Sequence, residues 1–170
     1  MTPFVHQNNP SRVIFGPGVL ACLPEEIQRL GLSRALVLST PEQAASAEEV
    51  ATLLGKHAAG VFSKAVMHVP IETAREAREV ASLLGADCAV AIGGGSTIGL
   101  GKAIALDSGL PVIAVPTTYA GSEMTPIYGL TEAGVKKTGR DPRVLPVSVI
   151  YDPQLSATLP LGMSVVSAIN

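Results

Sequence analysis

Residues 89–106 read AVAIGGGSTIGLGKAIAL: an apolar run, Ala89 to Ile92, enters three consecutive glycines, and after Ser96 and Thr97 a second apolar run has helical spacing. Adjacent glycines are costly to order, because each loses more backbone freedom on folding than any other residue. A strand, a bare turn and a helix in direct succession make the first part of a βαβ unit. The flanking sequence decides whether the pattern repeats.

It repeats on both sides. Arg12 to Phe15 reads as a short strand stopped by Gly16-Pro17-Gly18. Pro24-Glu25-Glu26 opens a helix with proline and two acids in its first turn, and Gly31 closes it. Ala35 to Leu38 is a β-type run, followed by Thr40-Pro41-Glu42-Gln43, which has the form of a capping box for a helix to about Lys56. Gly60 to Phe62 reads as a strand, and Pro70 precedes an amphipathic helix with Ala74, Ala77, Val80, Ala81 and Leu84 on one face. Asp87 to Ile92 and Pro111 to Val115 are further strands, joined by a helix over Thr97 to Leu106. Such alternation implies right-handed crossovers and an α/β fold, a Rossmann-like parallel sheet with helices on both faces.

After Val115 the pattern changes. PTTYAGSEMTP reads as a long loop, and Ile127 to Leu130 and Val147 to Tyr151 as strands flanking a polar excursion around Lys136 to Asp141. Asp152-Pro153 is a turn, Gln154 to Thr158 one helical turn, and Leu161 to Asn170 the start of another helix without C-terminal punctuation. The expected organisation is one α/β domain over 1–160 and, from 161 to 170, the beginning of a further helical domain.

Composition narrows the function. Of 170 residues 47% are apolar and 4% aromatic, a mixture suited to helices on a buried parallel sheet. The formal charge of −2, with no run of Lys or Arg, argues against nucleic acid and anionic membrane as partners. The polar start MTPFVHQNNP lacks the apolar core of a signal peptide, and no apolar stretch spans a bilayer. Cys22 and Cys88 read as two reduced core thiols, so a cytoplasmic location is expected.

Ligands of open α/β sheets bind beyond the carboxyl ends of the strands, where helix N-termini favour anions. Gly93, Gly94, Gly95 and Ser96 are therefore read as a cradle for a phosphate or pyrophosphate; the same glycines also suit a tight turn with no ligand. G-x-x-x-x-G-K-[ST] is excluded by Ser96 and Ala103, and G-x-G-x-x-G by Ile98. The loop after the next strand emerges at the same sheet edge. Its Thr117, Thr118, Ser122 and Thr125 offer neutral hydroxyls suited to a ribose and an amide.

GGGST…GK, PTTYAGSEMTP, the Lys136-to-Asp141 region and VIYDPQLSATLP, in this order, resemble the iron-dependent alcohol dehydrogenase superfamily, which also holds glycerol dehydrogenases and dehydroquinate synthases. The resemblance implies an N-terminal dinucleotide-binding domain, an NAD(P) pyrophosphate on the GGGS loop and an active site between that domain and a helical one. Homodimers are common in the superfamily and are the expectation here. Gly99 stands where metal-dependent members carry Asp, and Asn170 where they carry the first metal ligand; an amide is a poor substitute for a carboxylate on a hard cation. PTTYAGSEMTPIYGLTE followed by KKTGRD resembles the maleylacetate reductase branch. That branch implies metal-independent reduction of a C=C bond in a small dicarboxylate by NADH or NADPH. The rival readings are a metal-dependent alcohol or glycerol dehydrogenase and a non-catalytic nucleotide-binding module.

Single residues complete the reading. Thr40 sits where many superfamily members place a ribose-binding acid, so both cofactors are expected to be accepted. It also suits a helix N-cap. Tyr119 is a candidate to reach substrate, and between the two lysines Lys137 rather than Lys136 is expected at the cofactor. Lys102 is read as structural or surface, and His6, His57 and His68 likewise, with no ligand spacing among them.

Overall fold

The computed structural model describes residues 11–157, 159 and 161–168. The chain forms β1 (Arg12–Phe15), α1 (Leu23–Arg29), β2 (Ala35–Leu38), α2 (Ala44–Leu54), β3 (Ala58–Phe62), α3 (Ile71–Leu83), β4 (Cys88–Gly93), α4 (Gly95–Ser108) and β5 (Val112–Pro116). Then come β6 (Ile127–Glu132), β7 (Val135–Arg140), β8 (Ser148–Tyr151), α5 (Pro153–Ser156) and α6 (Leu161–Ala168). Six strands pair in the order β1-β8-β5-β4-β2-β3, every pair parallel.

Alternation along the strands divides the core into two layers. Leu36, Leu38, Ala89 and Ala91 pack on the side of α3 and α4, while Ala35, Val37, Val90 and Ile92 pack on the side of α1 and α2. All six residues of β4 are buried, as a strand covered on both faces requires. The two thiols are free, Cys88 buried and Cys22 half-buried. Among the described residues no helix is long and apolar enough to cross a membrane.

The order of the strands fixes where a ligand can sit. From β2 the chain crosses outward to β3, and from β4 it crosses the other way to β5. The crevice between the carboxyl ends of β2 and β4 is thus the switch point at which open α/β sheets bind ligands. It brings together the turn after Leu38 and the glycine turn after Ile92.

Two expectations are corrected. The region from Lys136 to Asp141 is not an excursion: all but its last residue belong to β7, which pairs antiparallel with β6 from Ile127↔Arg140 to Glu132↔Val135. Ala133 and Gly134, both at positive φ (49° and 76°), close this hairpin; two such residues match the twist of the flanking strands. Thr40-Pro41-Glu42-Gln43 forms no capping box either. Thr40 makes no side-chain cap, Pro41–Gln43 is a short 3₁₀ turn, and the Gln43 amide reaches Thr117 instead. Asn170, the expected metal-ligand replacement, lies outside the described residues.

Candidate functional site

The three glycines are not equivalent. Gly93 has φ 152°, a region L side chains avoid, and a Cβ there would stand 2.5 Å from Thr97 Oγ1 and 2.8 Å from Gln43 Oε1. At Gly94 a Cβ would come within 3.0 Å of Thr118 Cγ2. At Gly95 it would meet nothing closer than Ala120 Cβ at 3.7 Å, and Gly95 is exposed. Packing inside the protein accounts for the first two glycines and not for the third. The bare third position leaves the first N–H groups of the 14-residue α4 open to an anion.

Two cavities meet over this turn. One, about 880 Å³, runs from Thr40, Glu42 and Gln43 past Gly94 to Thr117 and Thr118. The other, about 540 Å³, lies toward the hairpin and includes His68, Lys102, Thr125, Tyr128 and Lys136. They share Met67, Gly95 and Ser96. A ligand with an anionic centre and two bulky ends would place its centre on Gly95 and Ser96 and one end in each cavity.

The structure thus divides the expected site residues. Thr40, Gly94, Thr117 and Thr118 fall in the first cavity, Ser122 and Thr125 in the second, and Gly95 and Ser96 between them. Gly93 is buried below, its carbonyl accepting from Thr117 N–H at 3.0 Å. Two expected site residues lie elsewhere. Lys137 points away from the cavity and pairs with Glu132 at 2.6 Å, whereas Lys136, its neighbour on the opposite face of β7, lines it. Tyr119 lines neither shared cavity; it borders a separate hollow with Phe15, Glu123 and Tyr151, and its N–H donates to Ser167 Oγ at 2.7 Å.

Lys102 is neither free nor on the surface. Fully buried, its ammonium donates to the carbonyls of Thr125 (2.7 Å), Ile127 (2.8 Å) and Ser122, and lies 3.2 Å from Thr125 Oγ1. One cation on α4 thereby holds the loop that becomes β6. Burial pulls its pKa down to about 8 while the Glu123 carboxylate opposes the shift. Gln43, Glu42 and His68 had no site role in the sequence reading, yet each lines one of these cavities. Gln43 Nε2 donates to Thr117 Oγ1 at 3.0 Å, joining the two polar loops. The exposed Glu42 carboxyl lies below its ordinary pKa, held by its own backbone N–H and by the Thr40 hydroxyl. Thr97 Oγ1, beneath the glycine turn, is buried with no partner among the described residues.

Residues 10–153 match the family model of iron-containing alcohol dehydrogenase. The chain belongs to that family. Within it, the maleylacetate reductase of Burkholderia cepacia is 65% identical over 170 residues, which are all of this chain and 48% of that protein. The solved maleylacetate reductase of Agrobacterium tumefaciens superposes with a TM-score of 0.96 at 56% identity, over 98% of this chain and 48% of its own. That of Rhizobium sp. strain MTP-10005 gives 0.95 at 57%, with the same coverage. The chain spans about half the length of these relatives. A sulfoacetaldehyde reductase from Bifidobacterium kashiwanohense, solved in complex with NAD+, shares the fold at 22% identity and a TM-score of 0.87.

The family name raises the question of a metal, and the described residues do not fit one. Among them no three His, Cys, Asp or Glu side chains group to hold an ion. The hairpin-side cavity offers one imidazole and no carboxylate. At Gly99 a Cβ would stand 2.8 Å from Val69 Cγ2, so an aspartate there would need the segment before α3 to move.

Proposed function

We propose that this chain is the dinucleotide-binding part of a reductase that uses NADH or NADPH to convert maleylacetate to 3-oxoadipate, in the catabolism of aromatic compounds, without a metal. The observation that carries the cofactor reading is the meeting of two cavities over Gly95 and Ser96. A dinucleotide has that shape, with its charge at the middle. The pyrophosphate would lie on the N–H groups of Gly95 and Ser96, the adenosine end by Thr40, Glu42, Thr117 and Thr118, and the nicotinamide end by Ser122 and Thr125. The bound nicotinamide supplies the hydride. This chain's residues bind and orient it: Lys102 fixes Ser122 to Ile127 against α4, and Met67 covers the junction of the cavities. The substrate class is supported by the likeness to maleylacetate reductases across the whole chain.

Hydride addition to a C=C bond conjugated with a ketone develops charge on an enolate oxygen, which hydrogen-bond donors can stabilise in place of a Lewis acid. Thr125, Tyr128 and Thr138 provide hydroxyls around that cavity. The affinities for NADH and NADPH are expected to lie within about tenfold, or 1.4 kcal/mol. A division at about residue 160 from a helical domain rests on the element pattern and the resemblance, a homodimer on the resemblance alone, and a cytoplasmic location on the two free thiols. The test is NADH oxidation by the full-length protein with maleylacetate, beside simple aldehydes and ketones, with and without chelator. Rapid turnover of maleylacetate that survives the chelator is expected. Turnover of aldehydes that requires stoichiometric metal would establish an alcohol dehydrogenase instead.

A further inference from the structure

The hairpin-side cavity contains more than cofactor binding uses. Its lining includes three basic side chains, His68, Lys102 and Lys136, and no acidic one. Lys102 is committed to its carbonyls. The imidazole of His68 and the ammonium of Lys136 have no hydrogen bond or ion pair among the described residues, and both are exposed. The cavity suits an anion, with an ammonium and an imidazole free to donate hydrogen bonds to it.

His68 is held there under strain. His68 and the next residue, Val69, have φ of 66° and 44°, two of the three non-glycine residues with positive φ among the described ones. Histidine tolerates this region better than most residues, but a β-branched valine there is an outlier. Such conformations persist only where the surroundings enforce them, and they gather at ligand sites. Here β6 enforces it: Thr131 Oγ1 donates to the His68 carbonyl at 2.7 Å and Thr131 N–H to that of Val69 at 3.0 Å. Val69 is buried against Gly99 of α4. The strap between β3 and α3 is thus clamped from both sides, with its imidazole on the cavity.

We propose that His68, together with Lys136, seats a carboxylate of the substrate, making His68 a specificity residue for dicarboxylates over neutral carbonyl compounds. This rests on the reductase reading above. Asn and Gly both accept left-handed backbone, so His68→Asn and His68→Gly remove the imidazole without disturbing the strap. In the full-length enzyme both variants are expected to raise KM for maleylacetate tenfold or more, to keep kcat within threefold, and to leave NADH Kd within twofold by fluorescence titration. His68→Gly is also expected to raise the melting temperature, a combination that a purely structural histidine would not produce. An unchanged KM would overturn the seat while leaving the reductase intact. Weakening of NADH binding in parallel with KM would overturn it too, by assigning His68 to the cofactor. A wild-type enzyme that binds NADH yet does not reduce maleylacetate would overturn the reductase reading, and the seat with it.

Discussion

Glu42 stands two residues beyond Thr40, and its carboxylate accepts the Thr40 hydroxyl at the rim of the cavity of about 880 Å³, where the proposed adenosine end would lie. A carboxylate about 5 Å from a 2′-phosphate across water contributes a repulsion of about 1 kcal/mol. Glu42→Gln is therefore expected to shift the NADH-to-NADPH affinity ratio toward NADPH by about three- to tenfold, as read by titration of the two cofactors. No shift would remove Glu42 from the ribose site. The sequence pointed to Thr40 because of its place after the strand, and Glu42 escaped notice because acids in a first helical turn need no other explanation. Gln43 escaped for a similar reason: three residues after Thr40 it completes a capping pattern, and only the fold shows the amide crossing to Thr117.

The hairpin shows where periodicity fails. VKKTGR of β7 is mostly exposed on both faces, so it lacks the apolar alternation that identifies a strand. Which lysine faced the cavity depended on that strand, because neighbouring side chains point to opposite faces. The helix α4, by contrast, was readable from the glycines onward, and of the two readings of Lys102 on it, structural or surface, the structural one holds. Lys102→Met leaves three carbonyls without their donor, and a loss of about 2–4 kcal/mol of stability is expected in urea denaturation. A loss below about 1 kcal/mol would mean that the loop holds itself. On the neighbouring turn of α4, Gly99→Asp would push Val69, and the strap that carries it, off the helix, with an expected cost of about 1–3 kcal/mol seen as a lower melting temperature. Unchanged stability would show the strap to be loose.

The six-stranded sheet and its two covered faces were legible in the sequence because buried parallel strands are apolar throughout and their helices are punctuated by proline and glycine. Contacts between distant segments were not. Glu26, 3% exposed, receives two hydrogen bonds of 2.8 Å from Arg29, bonds Ser148 of β8 and pairs with Arg12 of β1 at 3.3 Å. The Arg29 hydrogen bonds above all, with Ser148 and Arg12, lower its pKa to about 2 against the opposing effect of burial. A carboxyl with a lowered folded-state pKa stabilises fully above its ordinary value of 4.5 and loses that contribution as pH falls toward 2. Allowing for the half-exposed arginines, the stability gap between wild type and Glu26→Gln is expected to narrow by about 2–3 kcal/mol from pH 5 to pH 2. A constant gap would contradict it. The measurement that bears most directly on the molecule's purpose is the NADH Kd of Gly95→Ala, set beside its melting curve. The protein has room for that methyl group, so melting should be unchanged, while a pyrophosphate lying on the turn would be pushed away and Kd should rise tenfold or more. Unaltered affinity in a normally melting variant would show that the cofactor does not rest on these glycines.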